Sequence, residues 1–528
     1  MSATQQPTRD ELLQALEQRP ERDLIVIGGG ATGLGVALDA AARGLSVALV
    51  EAEDFAKGTS SRATKLVHGG VRYLAQGNLK LVREALRERA ILLRNAPHLA
   101  RPLPFLLPLY GARGRWIDRW FYGIGLMLYD LLAGSERQGQ TEFLGAAEAV
   151  RVAQGLQPRN LAGAVRYWDG QFDDARLALA LARTAIARGA TVLNHCAAVG
   201  LAHENGRIAG VEVEDRVSGQ RHALRTRCVV NAAGVWVDAV RRMDRAPRGD
   251  LVAPSQGVHL VVDREFLPGG HAILVPKTRD GRVLFAVPWL GKTILGTTDT
   301  PRNDLAVEPE PFREEVDFIL GEAARYLAKA PTRADIRSQW VGLRPLVKPP
   351  NEDPGDTKAL SREHAVLVER SGLVTVTGGK WTTYRAMAED VLAHCMSNGL
   401  LPQRAAGVTA TLPLVGARGG GQALSDAPGL HLYGSDAPQV LSLPGAQRAL
   451  APGLTEAMVR FAVRHEYART VEDMLARRSR LLFLDARLAA SVAAPVAALL
   501  AEELGTAFDA GGSLRDFLAL AARYRSVE

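Results

Sequence analysis

Cysteine is scarce. Cys196, Cys228 and Cys395 are the three in 528 residues, too few and too widely spaced for a disulfide framework or a thiolate metal site. A reducing compartment is the corresponding expectation. No charge-free apolar run reaches the roughly 20 residues needed to span a bilayer, so the chain is not expected to cross one. The amino terminus, MSATQQPTRDELLQALEQRP, lacks the basic start and apolar stretch of a secretory signal, which leads to an expectation of cytoplasmic synthesis and retention. Lys and Arg outnumber Asp and Glu by 64 to 57, yet no concentrated basic tract or aromatic RNA-binding signature accompanies the excess. Nucleic acid is therefore not the expected partner. Net charge of +7 favours acidic partners such as phosphorylated metabolites or anionic lipid.

What is present is material for several cores. With 47% hydrophobic and 23% charged residues, the chain has globular composition, and its length calls for roughly two to four domain-sized pieces. Residues 24–51 read as strand, helix, strand: apolar runs Leu24 to Ile27 and Ser46 to Val50 flank a glycine turn and an alanine-rich segment. Near-continuous apolar strands of this kind belong to a parallel sheet covered on both faces. Cys228 to Asn231 and Leu373 to Thr377 look like further strands of that sheet, so this domain is discontinuous. Between them, HLVVD, AILVP and VLFAVPWL alternate as in an antiparallel sheet, marking an inserted substrate domain at about 241–345. A polar segment at 1–20 precedes the 21–401 region. Residues 402–445, rich in Gly, Pro, Ala and Ser, read as a linker or loose segment. From 446 to 528 apolar residues recur at helical spacing, with Met458, Phe461, Ala462, Tyr467, Val471, Met474 and Leu475 as examples.

LIVIGGGATGLG sets Gly28, Gly30 and Gly33 in G-x-G-x-x-G spacing, after a strand and at the head of a helix. The first glycine serves the tight turn, the second the approach of backbone to a pyrophosphate, the third close helix–strand packing, and the helix amino terminus faces the anion. Glu51 ends the second strand, where an acid binds a ribose hydroxyl. That combination indicates NAD or the adenosine half of FAD and does not choose between them.

GTSSRATKLVHGGVRYL at 58–74 resembles the signature of the FAD-dependent, quinone-linked glycerol-3-phosphate dehydrogenases. Further pieces follow in that family's order: NAAGVWVD at 231–238, GVHLVV at 257–262, ILGTTD at 294–299, VGLRPLV at 341–347, LSREH at 360–364 and GGKWTTYR at 378–385. The resemblance covers about residues 22 to 490. It implies an α/β protein with a glutathione-reductase-type FAD-binding Rossmann domain, an antiparallel-sheet substrate domain and a C-terminal α-helical cap. It also implies oxidation of glycerol 3-phosphate with electrons passing to membrane quinone.

Oxidising a secondary alcohol needs an acceptor for the hydroxyl proton, a partner for the developing oxyanion and a flavin for the hydride. By resemblance, His259 and Arg344 fall near the reacting hydroxyl, and Arg72, Tyr73, Arg362 and Lys380 hold phosphate. Lys380, after two glycines at a helix start, would also stabilise electron density on reduced flavin, which adds it to the catalytic candidates. Ser60, Ser61, Ala233, Gly234, Gly378, Gly379 and Thr382 join the fingerprint glycines and Glu51 as candidate FAD contacts. Taken alone, His259 in an apolar strand reads as a structural histidine, whereas Arg344 among apolar neighbours needs an anion partner, with a structural salt bridge as the alternative. Three alternatives stand beside the dehydrogenase: an oxidase of the same family that makes peroxide, an amino-acid oxidase, and a noncatalytic FAD-binding redox sensor. The oligomeric state is open, a homodimer included.

Docking on the inner face of the cytoplasmic membrane follows from the quinone. The candidate anchor is 101–133, where uncharged stretches Pro102 to Ala112 and Trp120 to Tyr129 are separated by Arg113, Arg115 and Arg119, with Trp116, Trp120, Phe121 and Tyr122 at headgroup depth. A buried cap helix is the competing reading of that segment. Arg477, Arg478 and Arg480 form a second candidate contact with anionic lipid.

Overall fold

The computed structural model describes residues 6–70, 78–111, 118–244, 249–348, 364–418 and 421–525. Arg72, Tyr73, Arg113, Arg115, Trp116 and Arg362 lie outside the described residues.

The short apolar runs form one sheet. Its six strands run in the order Ala365–Val368, Leu373–Thr377, Val229–Asn231, Leu24–Ile27, Val47–Val50, Thr191–Leu193. The first pair is antiparallel and the rest are parallel. The central strands are buried at every position, as a sheet covered on both faces requires. Helix Ala31–Ala42 packs between helices Asp174–Ala187 and Tyr384–Ser397. The N-terminal polar segment contributes a helix, Arg9–Gln18, opened by a capping box between Thr8 and Glu11. Its Leu12 and Leu16 are buried, and Arg9 is tied to Asp215 at 2.5 Å.

A second, ten-stranded sheet carries the alternating stretches. Its spine is Val252–Asp263, paired with Lys292–Gly296 on one side and Ser338–Val347 on the other. Alternation sorts the two faces: Val261 packs with the C-terminal helices, whereas Leu260 and Val262 pack toward helix Arg313–Tyr326. This sheet is not confined to 241–345. Ala100–Tyr110 and Leu161–Phe172, paired along their length, and the short Leu66–Val67 belong to it. Pro102, Pro104 and Pro108 disguise the first of these strands. They fall at alternate positions, so their missing N–H groups face one side and leave the other side's ladder intact.

Residues 402–445 correct the linker expectation. Leu412, Leu414, Leu424, Leu432, Tyr433 and Val440 are buried, and the backbone is tied down by Val415 N–H to Thr184 Oγ1 and Leu290 N–H to the Leu424 carbonyl. Polar, glycine-rich composition hid a strap whose scattered leucines are its anchors. The C-terminal part is helical, and the seven apolar residues from Met458 to Leu475 named above are all buried.

Candidate active site at the junction of the two sheets

The glycine turn, Glu51, Ala233–Gly234 and Gly378–Gly379 all follow parallel strands at their carboxyl ends, the edge where ligands of such sheets bind. Gly28 adopts φ +111°, and a Cβ there would lie 2.6 Å from the Ala232 carbonyl oxygen. A Cβ on Gly33 would lie 1.9 Å from the Gly28 carbonyl oxygen, so strand and helix meet backbone to backbone. Gly30 precedes the helix amino terminus, and the atom nearest its absent side chain is Ser60 Oγ, at 3.0 Å. Ser60 Oγ accepts the Ala31 N–H at 3.0 Å, in the position where that terminus would receive a pyrophosphate oxygen. Glu51 accepts N–H bonds from Gly29 at 2.6 Å and Glu53 at 2.9 Å. Burial pushes its carboxyl above the usual range, and those two donors act against the rise.

The other cofactor candidates gather around the same edge. Ser61 is buried, and its hydroxyl meets no partner among the described residues. Trp381 Nε1 donates to the Ser60 carbonyl at 2.8 Å, and Thr382 Oγ1 accepts the His68 N–H at 3.2 Å. Lys380 caps the short helical turn Trp381–Thr383, which runs into Tyr384–Ser397, so the expected helix start is present. A cradle with no room for side chains on the strand side, a donor-bearing helix end and an acid facing the turn fit a dinucleotide.

The second sheet brings His259 and Arg344 to one face. Trp340, Gly342 and Arg344 share a side of their strand, and His259 lies opposite Trp340 in register. The His259 ring stacks on Trp340 at 5.3 Å and 16°. Its Nε2 shares a 2.9 Å hydrogen bond with Thr64 Oγ1, and Nδ1 has no partner among the described residues. Burial, then the charges of Lys65 and Arg344, hold His259 well below its ordinary value, so the ring is neutral. Arg344 lies across Gly257, where a Cβ would come within 2.3 Å of its Nη2. It donates to Thr297 Oγ1 at 3.2 Å, to the Thr298 carbonyl at 2.9 Å and to Asp299 at 3.2 Å. The salt bridge therefore exists, and it fixes the guanidinium beside the histidine.

Sequence reasoning missed Thr64, Lys65, Trp340 and Asp299. The first two lie inside the 58–74 run, and strand alternation from Arg344 back to Trp340 was the available signal for the third. The basic cluster proposed for lipid is corrected outright. Arg477, Arg478 and Arg480 are buried: the first two grip Asp54, and the third meets Asp174 at 3.0 Å. Three arginines in four residues looked like a surface patch because the acids that neutralise them are distant in sequence.

A dinucleotide cradle facing a second sheet fits a nucleotide-dependent oxidoreductase, and the sequence matches the family model described as FAD dependent oxidoreductase over residues 23–385. Residues 407–509 match the C-terminal domain of alpha-glycerophosphate oxidase. The mitochondrial glycerol-3-phosphate dehydrogenase SDP6 of Arabidopsis thaliana is 41% identical, over 91% of this chain and 82% of its own length. The human mitochondrial glycerol-3-phosphate dehydrogenase is 40% identical, over 94% and 72%. A glycerol-3-phosphate dehydrogenase from Bacillus halodurans, solved with FAD, superposes with a TM-score of 0.78 at 30% identity, covering 98% of this chain and 97% of that one. The chain belongs to the FAD-dependent glycerol-3-phosphate dehydrogenase family.

Proposed function

We propose that the protein oxidises sn-glycerol 3-phosphate to dihydroxyacetone phosphate and delivers the electrons to a membrane quinone. The observation that carries this reading is the neutral, buried His259 beside the fixed Arg344 cation, hydrogen-bonded through Thr64 to the loop that meets the cofactor turn. When bound, FAD supplies the two-electron acceptor for the hydride that leaves carbon 2. The O–H proton leaves at the same stage and a carbonyl forms. His259 is suited to hold that proton at Nδ1, and Arg344 favours electron density on the oxygen while opposing early protonation of the ring. Gly28, Gly30, Gly33 and Glu51 would hold the adenosine and pyrophosphate half of the cofactor. Ser60, Ser61, Ala233, Gly234, Gly378, Gly379 and Thr382 are the proposed contacts for the rest. Lys380 is assigned to the substrate phosphate together with Arg72, Tyr73 and Arg362, because charge-assisted bonds to phosphate oxygens suit these groups.

Membrane docking belongs to the same proposal. No helix among the described residues is long and apolar enough to cross a membrane. Helix Arg119–Ala133 instead exposes Trp120, Phe121, Ile124, Met127, Leu128 and Leu131, with Leu131 at 75%. Six large apolar side chains on one short helix exceed the scattered exposures of an ordinary surface and match an interfacial helix. The opposite face is anchored by Tyr129, whose hydroxyl donates to Asp169 at 2.8 Å and accepts the Gly69 N–H at 2.7 Å. That bond ties the apolar stripe to the 58–74 segment, which supports a lipid-dissolved acceptor reaching the redox site. Steady-state turnover of glycerol 3-phosphate with a short-chain quinone, compared with peroxide formation in air, tests the acceptor. Quinone reduction well above peroxide formation is expected; rapid peroxide with no quinone reduction would establish the oxidase instead.

A further inference from the structure

Two fully buried cations from opposite ends of the chain hold the same backbone carbonyl. Lys65 Nζ donates to the Ser61 carbonyl at 2.8 Å and to Asp174 Oδ2 at 2.7 Å. Arg480 Nη2 donates to that Ser61 carbonyl at 2.8 Å and to Asp174 Oδ1 at 3.0 Å. Asp173 lies 3.5 Å from the Arg480 Nε, and burial lowers the Lys65 amine to about 7 although Asp174 pulls the other way. Trp289, Trp340 and Phe483 ring the Lys65 ammonium at 5.2 to 5.4 Å, and the Arg480 guanidinium lies over Phe483 at 4.3 Å.

Desolvation offsets much of the attraction in such a cluster, so apolar residues would stabilise the fold as well. What the charges supply is a fixed position for Ser61. The neighbouring Ser60 hydroxyl faces the amino terminus of the glycine-turn helix. Thr64, next to Lys65, bonds His259, and Trp340 beside the ammonium stacks on the same ring. The cluster therefore holds the cofactor loop directly and reaches the histidine through Thr64 and Trp340, and one of its members comes from the C-terminal helical region.

We propose that Arg480 is a positioning residue for FAD: with Lys65 and Asp174 it clamps the Ser61 carbonyl and so sets the Ser60–Ser61 loop against the helix end that receives the cofactor. The C-terminal region thereby acts on the flavin site through the Ser61 carbonyl. This rests on the FAD reading of the glycine turn and is independent of which alcohol is oxidised.

The test titrates apoprotein with FAD, without substrate, following flavin fluorescence and the flavin absorption band. Arg480→Met is expected to raise the FAD dissociation constant about tenfold or more and to shift the band. Arg480→Lys, which keeps the charge beside Asp174 but loses the fork, is expected to fall between it and the unaltered protein. Arg464→Met, which breaks a surface pair with Glu503, serves as the control and leaves both readouts unchanged. Unaltered affinity and spectrum in the Arg480 variants, whatever their melting temperatures, would overturn the proposal and leave the cluster purely structural. Should Arg480→Met not fold, Arg480→Lys decides alone, and unaltered FAD affinity in it is the contrary result. Failure of the unaltered apoprotein to bind FAD would refute the cofactor reading, whereas failure of glycerol 3-phosphate to reduce bound flavin would refute the substrate reading and leave these titrations standing.

Discussion

At Gly30 a single missing side chain leaves the helix end open, and Gly30→Val is predicted to abolish FAD retention while the chain still folds. Yellow colour surviving purification of that variant would count against the glycine turn as the site. On the proposed mechanism charge develops on the substrate oxygen beside Arg344, and Arg344→Ala is predicted to slow flavin reduction by about two orders of magnitude, corresponding to about 3 kcal/mol. Near-normal reduction in a rapid-mixing experiment would remove it from the site. Because His259 is held well below its ordinary value by burial and by Lys65 and Arg344, it stays neutral as the solution is acidified. A change centred near pH 7 therefore belongs to Lys65, which burial lowers to about 7, and His259 should give the rate of flavin reduction no acid limb near the ordinary histidine value of about 6.5. A limb there would show that another base, or a normally titrating histidine, takes the proton. The glycine turn and the place of Glu51 beside it were legible because spacing alone encodes such local backbone geometry. Lys65 and Arg480 were not, since their partners Asp174 and Ser61 are brought to them only by the tertiary fold.

Among elements, the same segment shows what sequence reading can and cannot do. Residues 101–133 were read as one candidate anchor, and they divide into a proline-bearing strand inside a sheet and a helix with an exposed apolar stripe. The strand was illegible because proline argues against a sheet interior unless its alternate spacing is noticed. The helix carries the membrane prediction. Ile124→Glu and Leu131→Glu, at positions 60% and 75% exposed, are expected to leave melting temperature unchanged and to cut co-sedimentation with phosphatidylglycerol vesicles several-fold. Retained vesicle binding in the double variant would move the docking surface elsewhere.

At the scale of the whole molecule, buried ion pairs join the C-terminal helices to the FAD domain. Arg477 and Arg478 close on Asp54, and Asp473 accepts from Arg477 and pairs with His195 at 2.9 Å. Burial alone would push His195 down, but the Asp473 carboxylate more than offsets it, and the ring ends above its ordinary value. A raised histidine contributes stability that is complete below its unfolded value of about 6.5 and is lost as pH rises through the folded value. His195→Gln is therefore predicted to lower the melting temperature more at about pH 5.5 than at about pH 9, as calorimetry at the two values would show. Four strands of the six-stranded sheet, the inserted part of the alternating sheet and the helical C-terminal part were legible from hydrophobic pattern. The junction between them was not, because it is built from charges whose pairing depends on the assembled fold.

The fold is proposed to oxidise a phosphorylated secondary alcohol to its ketone while bound FAD takes up the two electrons. Anaerobic mixing of the purified yellow protein with sn-glycerol 3-phosphate, glycerol and an amino acid in separate syringes, while following flavin absorbance, tests it most directly. Rapid bleaching with glycerol 3-phosphate and far slower bleaching with the other two is the predicted result. Equal bleaching by glycerol, faster bleaching by the amino acid, or none with any of the three would contradict the account.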